Sequence, residues 1–185
     1  MKCSLKSKEF LPGDADSFEY IVNTYEKRVY GFVYHMVHDT TLAEDLTQDV
    51  FVRVYEKLYT YRTEYAVEPW LFKIAYNTTL NYLKKNKKRN NEVPIEEHMS
   101  IVSNPYDSIQ EFETKHIILK EIESFKPDCR AIFILKIMED LTFEQIAVML
   151  GSSTAAVKLK FYRNRKVLIE RLNKSFKEEV ASSCK

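Results

Sequence analysis

The sequence predicts an all-α protein built as two small helical domains joined by a flexible linker, the C-terminal one a helix-turn-helix. Apolar residues recur at helical spacing through most of the chain, with no alternation long enough for a sheet. Only three glycines and five prolines interrupt 185 residues. Residues 142–162, TFEQIAVMLGSSTAAVKLKFY, read as helix, tight turn and helix. With 45% hydrophobic and 13% aromatic residues the chain can bury real cores, which excludes global disorder. It has no signal peptide and no apolar run of roughly eighteen residues, so a soluble cytoplasmic protein without a membrane span is expected.

The elements follow in order. After an N-terminal tail (1–13), a first helix from about Asp14 to Val37 carries the stripe Phe18, Ile21, Val22, Tyr25, Val29, Phe32, Val33 and Met36. Thr41 and Glu44 have capping-box spacing and start a second helix running to about Leu58, with Leu42, Leu46, Val50, Val54 and Leu58 as its core edge. Tyr59 to Glu68 is aperiodic and reads as a loop closed by Pro69. A third helix, Trp70 to about Lys85, completes a first domain over 14–89. Residues 90–110 are polar, with Pro94 and Pro105, and read as the linker.

The second domain covers 111–177, before a C-terminal tail (178–185). Periodicity resumes at Phe112, Ile117, Ile118, Leu119 and Ile122. Pro127 suits the first turn of a helix through Ile132, Phe133, Leu135, Ile137 and Met138. Thr142 with Gln145 caps the next helix, and Ala147 permits close helix approach. Gly151 supplies a left-handed end, and Ser152 or Ser153 caps a last helix reaching about Phe176.

A net charge of +1 conceals strong segregation. One basic block holds Lys84, Lys85, Lys87, Lys88 and Arg89, and a second runs from Lys158 to Lys177. Residues 92–123 between them are acidic. Two separated basic sites fit two contacts on one polyanion. On the last helix Val157, Phe161, Leu168 and Leu172 form the packing face, and Thr154, Lys158, Leu159, Tyr162, Arg163 and Lys166 lie opposite. Lys158, Leu159, Tyr162 and Arg163 are assigned to the groove, and Lys160, Arg165 and Lys166 to phosphates. An exposed Leu159 would make only apolar contacts, such as one with a thymine methyl; the other reading is a contact inside the domain.

On the third helix Lys73, Asn77, Asn81, Lys84 and Lys88 share one face. Amides can read bases and lysines neutralise phosphates. The preceding loop adds Tyr61, Arg62, Tyr65 and Trp70, and aromatics beside a basic helix suit unstacked bases. The second helix presents Asp45, Gln48, Asp49 and Arg53, an acidic stripe that repels DNA and fits solvent or a protein partner.

Other chemistry finds no support. Glu113 and His116 lack the second pair and the inward carboxylates of a di-iron bundle. There is no phosphate loop or nucleophilic triad, so no catalytic residue, metal ligand, cofactor or small-molecule substrate is expected. Cys3, Cys129 and Cys184 are far apart and read as reduced thiols.

In this order, AEDLTQDVFVRVYEKL (43–58), YRTEYAVEPWLFKIAYNTTLNYLKKNKKR (61–89) and LTFEQIAVMLGSSTAAVKLKFYRNRKVLIERL (141–172) resemble the extracytoplasmic-function (ECF) group of bacterial sigma factors, over about residues 14–172. The resemblance implies that Asp45, Leu46, Gln48, Asp49, Phe51 and Arg53 dock on the clamp of core RNA polymerase. It implies that Asn77, Asn81, Lys84 and Lys85, with Lys73 and Lys88, engage and open the −10 element, and that the loop around Arg62–Glu68 captures a flipped base. The helix from Thr154, with Lys158, Leu159, Lys160, Tyr162, Arg163, Arg165 and Lys166, falls on the −35 reader, and its domain on the polymerase flap. An anti-sigma factor is the implied regulator. Many members carry Gly and Thr where this chain has Ala155 and Ala156, and Ser and Arg where it has Leu159 and Lys160, so no −35 consensus transfers. The rival readings are a helix-turn-helix regulator with an N-terminal sensing or dimerisation domain, and a helical metal protein.

Overall fold

In a computed structural model that describes residues 15–62, 65–90 and 117–183, every regular element among the described residues is helical. The chain divides into two compact units, Met1–Ser100 and Ile101–Lys185. In the first, α1 (Ala15–Val37), α2 (Thr40–Lys57) and α3 (Val67–Asn90) pack against one another, with a short 3₁₀ turn, Leu58–Thr60, after α2. Their apolar stripes converge on Ile21, Val29, Phe32, Met36, Val50, Val54, Leu71 and Phe72, all buried. The Phe32 and Phe72 rings meet edge to face at 5.7 Å, and the Arg28 guanidinium lies over both Tyr25 and Phe72.

Several boundaries differ from expectation. The cap of α2 is Asp39, not Thr41: its extended backbone lets Oδ1 accept from the Leu42 N–H at 2.9 Å. His38, left-handed at φ 59°, ends α1 with its N–H on Tyr34 O, so the chain turns and restarts a helix within two residues. Pro69 does not close a loop but lies inside the first turn of α3, where a missing N–H costs nothing. Of the expected linker, Asn90 is helical and 91–110 lies outside the described residues, as do Phe112, Glu113 and His116.

Buried Tyr25 ties α1 to the start of α3 by donating its hydroxyl to Glu68 Oε1 at 3.0 Å. Burial, reinforced by the Glu68 carboxylate, pushes the Tyr25 phenol far above the ordinary tyrosine range. The folded state therefore holds this proton more tightly than the unfolded chain. Its contribution is complete below the unfolded value of about 10 and falls as pH rises above it. Tyr25→Phe is expected to cost about 1 kcal/mol near neutrality and to flatten the loss of stability above pH ~10. Chemical denaturation across pH 8–11 checks both; an unchanged alkaline slope would count against the linkage.

In the second unit, a helix over the described residues 117–123 (α4) leads into α5 (Pro127–Ile137), α6 (Phe143–Leu150) and α7 (Thr154–Ser183). Pro127 occupies the first turn of α5. One core cluster joins Ile122, Phe125, Phe133 and Leu168, with Ile118, Phe161 and Leu172 against it. The Arg130 guanidinium donates to the carbonyls of Glu123 and Phe125, closing the end of α4.

The helix-turn-helix forms from local chemistry. Thr142 and Gln145 make the reciprocal capping box at 2.8 and 3.2 Å. Gly151 sits left-handed at φ 60°, its N–H and that of Ser152 returning to the carbonyls of Val148 and Ala147. Ser153 Oγ then accepts from the Ala156 N–H and caps α7. A Cβ at position 151 would meet nothing within 4 Å, so Gly151→Ala carries only the backbone penalty. That is about 1 kcal/mol, read as a lower thermal midpoint of this unit. Helix α7 continues to Ser183, about two turns past the expected Phe176.

Candidate nucleic-acid interface

On α3 the fourfold step of polar residues works as one face because the other is core. Leu71, Ile74, Ala75, Thr78 and Thr79 are buried, while Lys73, Asn77, Asn81, Lys84 and Lys85 are exposed together. Arg62 is exposed just before the helix. The side chain of Lys88 lies outside the described residues. Of the loop aromatics, Tyr61 is buried against Trp70 at 5.1 Å and donates its hydroxyl to Tyr65 O at 2.5 Å. Its ring is committed to the fold, and Tyr65 is the exposed aromatic of this segment. The surface is cationic, amide-bearing and edged by one free ring, a combination that can bind phosphates and hydrogen-bond bases.

Helix α2 corrects part of the docking expectation. Leu46 and Phe51 are only 5% and 8% exposed, because they fall on the core side of the helix. Asp45, Gln48 and Asp49 face solvent, with Arg53 partly so. Sequence reasoning missed the stripe beside them: Val52, Tyr55 and Tyr59 are 57%, 64% and 73% exposed. Their spacing of three and four after Gln48 was the available signal. Tyr55 also meets the Phe18 ring of α1 at 5.2 Å, edge to face. An acidic rim beside exposed aromatics fits a protein partner better than a polyanion.

Helix α7 is anchored through Val157, Phe161 and Leu168, and Asn164 donates to Cys129 Sγ on α5 at 3.3 Å. Leu159 and Tyr162 are 51% and 56% exposed, so each keeps about half its surface open to solvent. Arg163, Arg165 and Lys166 are exposed, and Thr154 partly so. The two lysines of the first turns are tethered sideways. Lys158 pairs with Glu144 of α6 at 3.5 Å and lies over Phe143. Lys160 pairs with Asp128 of α5 at 3.8 Å. A backbone N–H at the start of α6, then the nearby Lys158 charge, hold the Glu144 carboxyl below its usual value. No periodicity within one helix could have announced these pairs, which join different helices.

Among the described residues no group of three or more His, Cys, Asp or Glu is placed to hold a metal ion, and no helix is long and apolar enough to cross a membrane.

Two family models match the chain, Sigma-70 region 2 over residues 21–89 and Sigma-70, region 4 over residues 115–168. The chain is similar to the ECF RNA polymerase sigma factor SigW of Bacillus subtilis, at 26% identity over 93% of this chain and 97% of that one. It is also similar to the ECF RNA polymerase sigma-E factor of Escherichia coli K12, at 27% identity over 84% and 86%. In fold it resembles the sigma factor RpoE of Bartonella quintana, solved in complex with the anti-sigma factor NepR. There the TM-score is 0.71 at 22% identity, covering 86% of this chain and 98% of that one. CnrH, solved with the cytosolic domain of CnrY, gives a TM-score of 0.62 at 18% identity, covering 87% and 90%.

Proposed function

The chain belongs to the extracytoplasmic-function group of the sigma-70 family, and on that premise we propose how its surfaces divide the work of directing promoter-specific transcription initiation. The observation that carries the division is the order of three exposed faces. An acidic and aromatic face on α2 precedes a lysine and asparagine face on α3, and the helix-turn-helix lies in the other unit.

The α2 face, with Asp45, Gln48, Asp49 and Arg53, binds the clamp of core RNA polymerase. The α3 face, with Arg62, Lys73, Asn77, Asn81, Lys84, Lys85 and Lys88, engages and opens the −10 element: lysines hold phosphates and amides read exposed base edges. Residues 14–89 thus act as one functional domain, 90–110 as the linker that spans the polymerase, and 111–177 as the −35 reader that touches the flap. On α7, Tyr162 and Arg163 enter the groove, and Arg165 and Lys166 reach phosphates. Lys158 and Lys160 join the phosphate contacts once they let go of their carboxylates.

The protein catalyses nothing; polymerase performs the chemistry in the cytoplasm. An anti-sigma factor is the fitting regulator, a partner type seen with RpoE and with the same overall fold.

The test is to mix the protein with core RNA polymerase and measure transcription from promoter fragments. Promoter-specific initiation that depends on this chain is expected. No association with core would sink the reading, and a stable self-dimer on palindromic DNA would favour the helix-turn-helix regulator.

A further inference from the structure

Successive residues of α7 step by about 100°, so the buried side fixes what points outward. Val157 and Leu168 are buried, and Phe161, Asn164 and Leu172 are partly so, all on one side of the helix. Directly opposite stand Ala155 and Leu159, one turn apart, with Lys166 two turns further on. Lys158 falls toward α6, where Glu144 holds it at 3.5 Å, and Lys160 falls toward α5, where Asp128 holds it at 3.8 Å. The cations nearest Leu159 in sequence are thus drawn to the two flanks, and over the first two turns of α7 the centre of the outward face is apolar.

The major groove offers one apolar feature, the C5-methyl of thymine. Leu159 set against a guanine, adenine or cytosine edge would strip water from polar atoms and return no hydrogen bond. Set against a thymine methyl, it buries carbon on carbon. Exposed leucines scattered on a surface need no explanation. This one stands at the middle of a helix face flanked by Tyr162, Arg163 and Lys166, the side chains that would bring DNA to it.

We propose that α7 selects its duplex through a thymine methyl read by Leu159, with Ala155 leaving room for the base one turn earlier. The inference rests on α7 being the −35 reader and names the chemical feature it reads there.

The experiment uses holoenzyme reconstituted from this chain and core RNA polymerase. Duplexes with a randomised upstream segment are selected by binding, and each thymine of the enriched sequence is then replaced singly by deoxyuridine, which lacks only the methyl. One position is expected at which this weakens wild-type binding about four-fold, the worth of one buried methyl, and Leu159→Ala binding by less than about two-fold. Leu159 is exposed, so the variant should unfold at the wild-type temperature. An enriched sequence whose thymines all tolerate deoxyuridine overturns the inference, and so does an equal loss in Leu159→Ala; both leave the −35 reading standing. A pool in which no upstream sequence is enriched removes the −35 reading and this inference with it.

Discussion

Val157→Asp is expected to unfold the C-terminal unit and abolish −35-dependent initiation while the N-terminal unit stays folded. Val157 is 1% exposed where α7 packs on α6, and the residues buried on α6 are Ile146, Ala147 and Met149, all apolar. A carboxylate forced into that crossing either remains charged without a partner or takes up a proton, at a cost of about 3–5 kcal/mol. A unit this small has a total stability of only about 5 kcal/mol, so the change consumes most of it. Hydrogen exchange on the full chain reads the outcome by segment: peptides within 127–172 should lose protection, and peptides within 21–86 should keep it. Val157→Ala, which removes two methyl groups without burying charge, should cost only about 1–2 kcal/mol. Equal protection in Val157→Asp and wild type would mean that the crossing is not where this unit derives its stability.

The second large effect belongs to α2. Asp45→Lys combined with Asp49→Lys is expected to weaken association with core RNA polymerase at least about ten-fold, because charge reversal sets like charges against any surface that the two carboxylates attract. Both carboxylates face solvent, so helical content and thermal stability should barely move. The neighbouring Val52, Tyr55 and Tyr59 supply the apolar part of such an interface, and the acidic rim supplies steering that salt screens. A competition assay for core at two salt concentrations is the appropriate measurement. Unchanged affinity at both would assign the acidic stripe to plain solvent surface.

What could be read from the sequence was what short-range chemistry controls. Thr142 with Gln145, Gly151 at a left-handed φ and Ser153 before α7 each act within a few residues, and the turn has the form their identities demand. The burial of Leu71, Ile74, Ala75 and Thr78 beneath the α3 lysines likewise follows from period alone. The start of α2 was harder because Asp39 and Thr41 both have capping chemistry two residues apart; the backbone reversal at His38 decides for Asp39.

Leu46, which its period already put on the core edge, and Phe51 entered the docking set for a different reason. A stretch carried over whole by family resemblance does not distinguish the residues that touch a partner from those that hold the helix in place. The Lys158–Glu144 and Lys160–Asp128 pairs join separate helices, so no local pattern encodes them. They nonetheless leave Leu159 at the centre of the outward face.

Helix α7 is a single element of 30 residues, about 45 Å from end to end. Its outward-facing first turns and its last turns are therefore parts of one rod, seated on the core at Val157, Phe161 and Leu168. A displacement imposed on the C-terminal end is returned at the other as a change of tilt, with the core of the unit as fulcrum. The tilt of the first turns of α7 and the direction of its C-terminal end are a single mechanical variable.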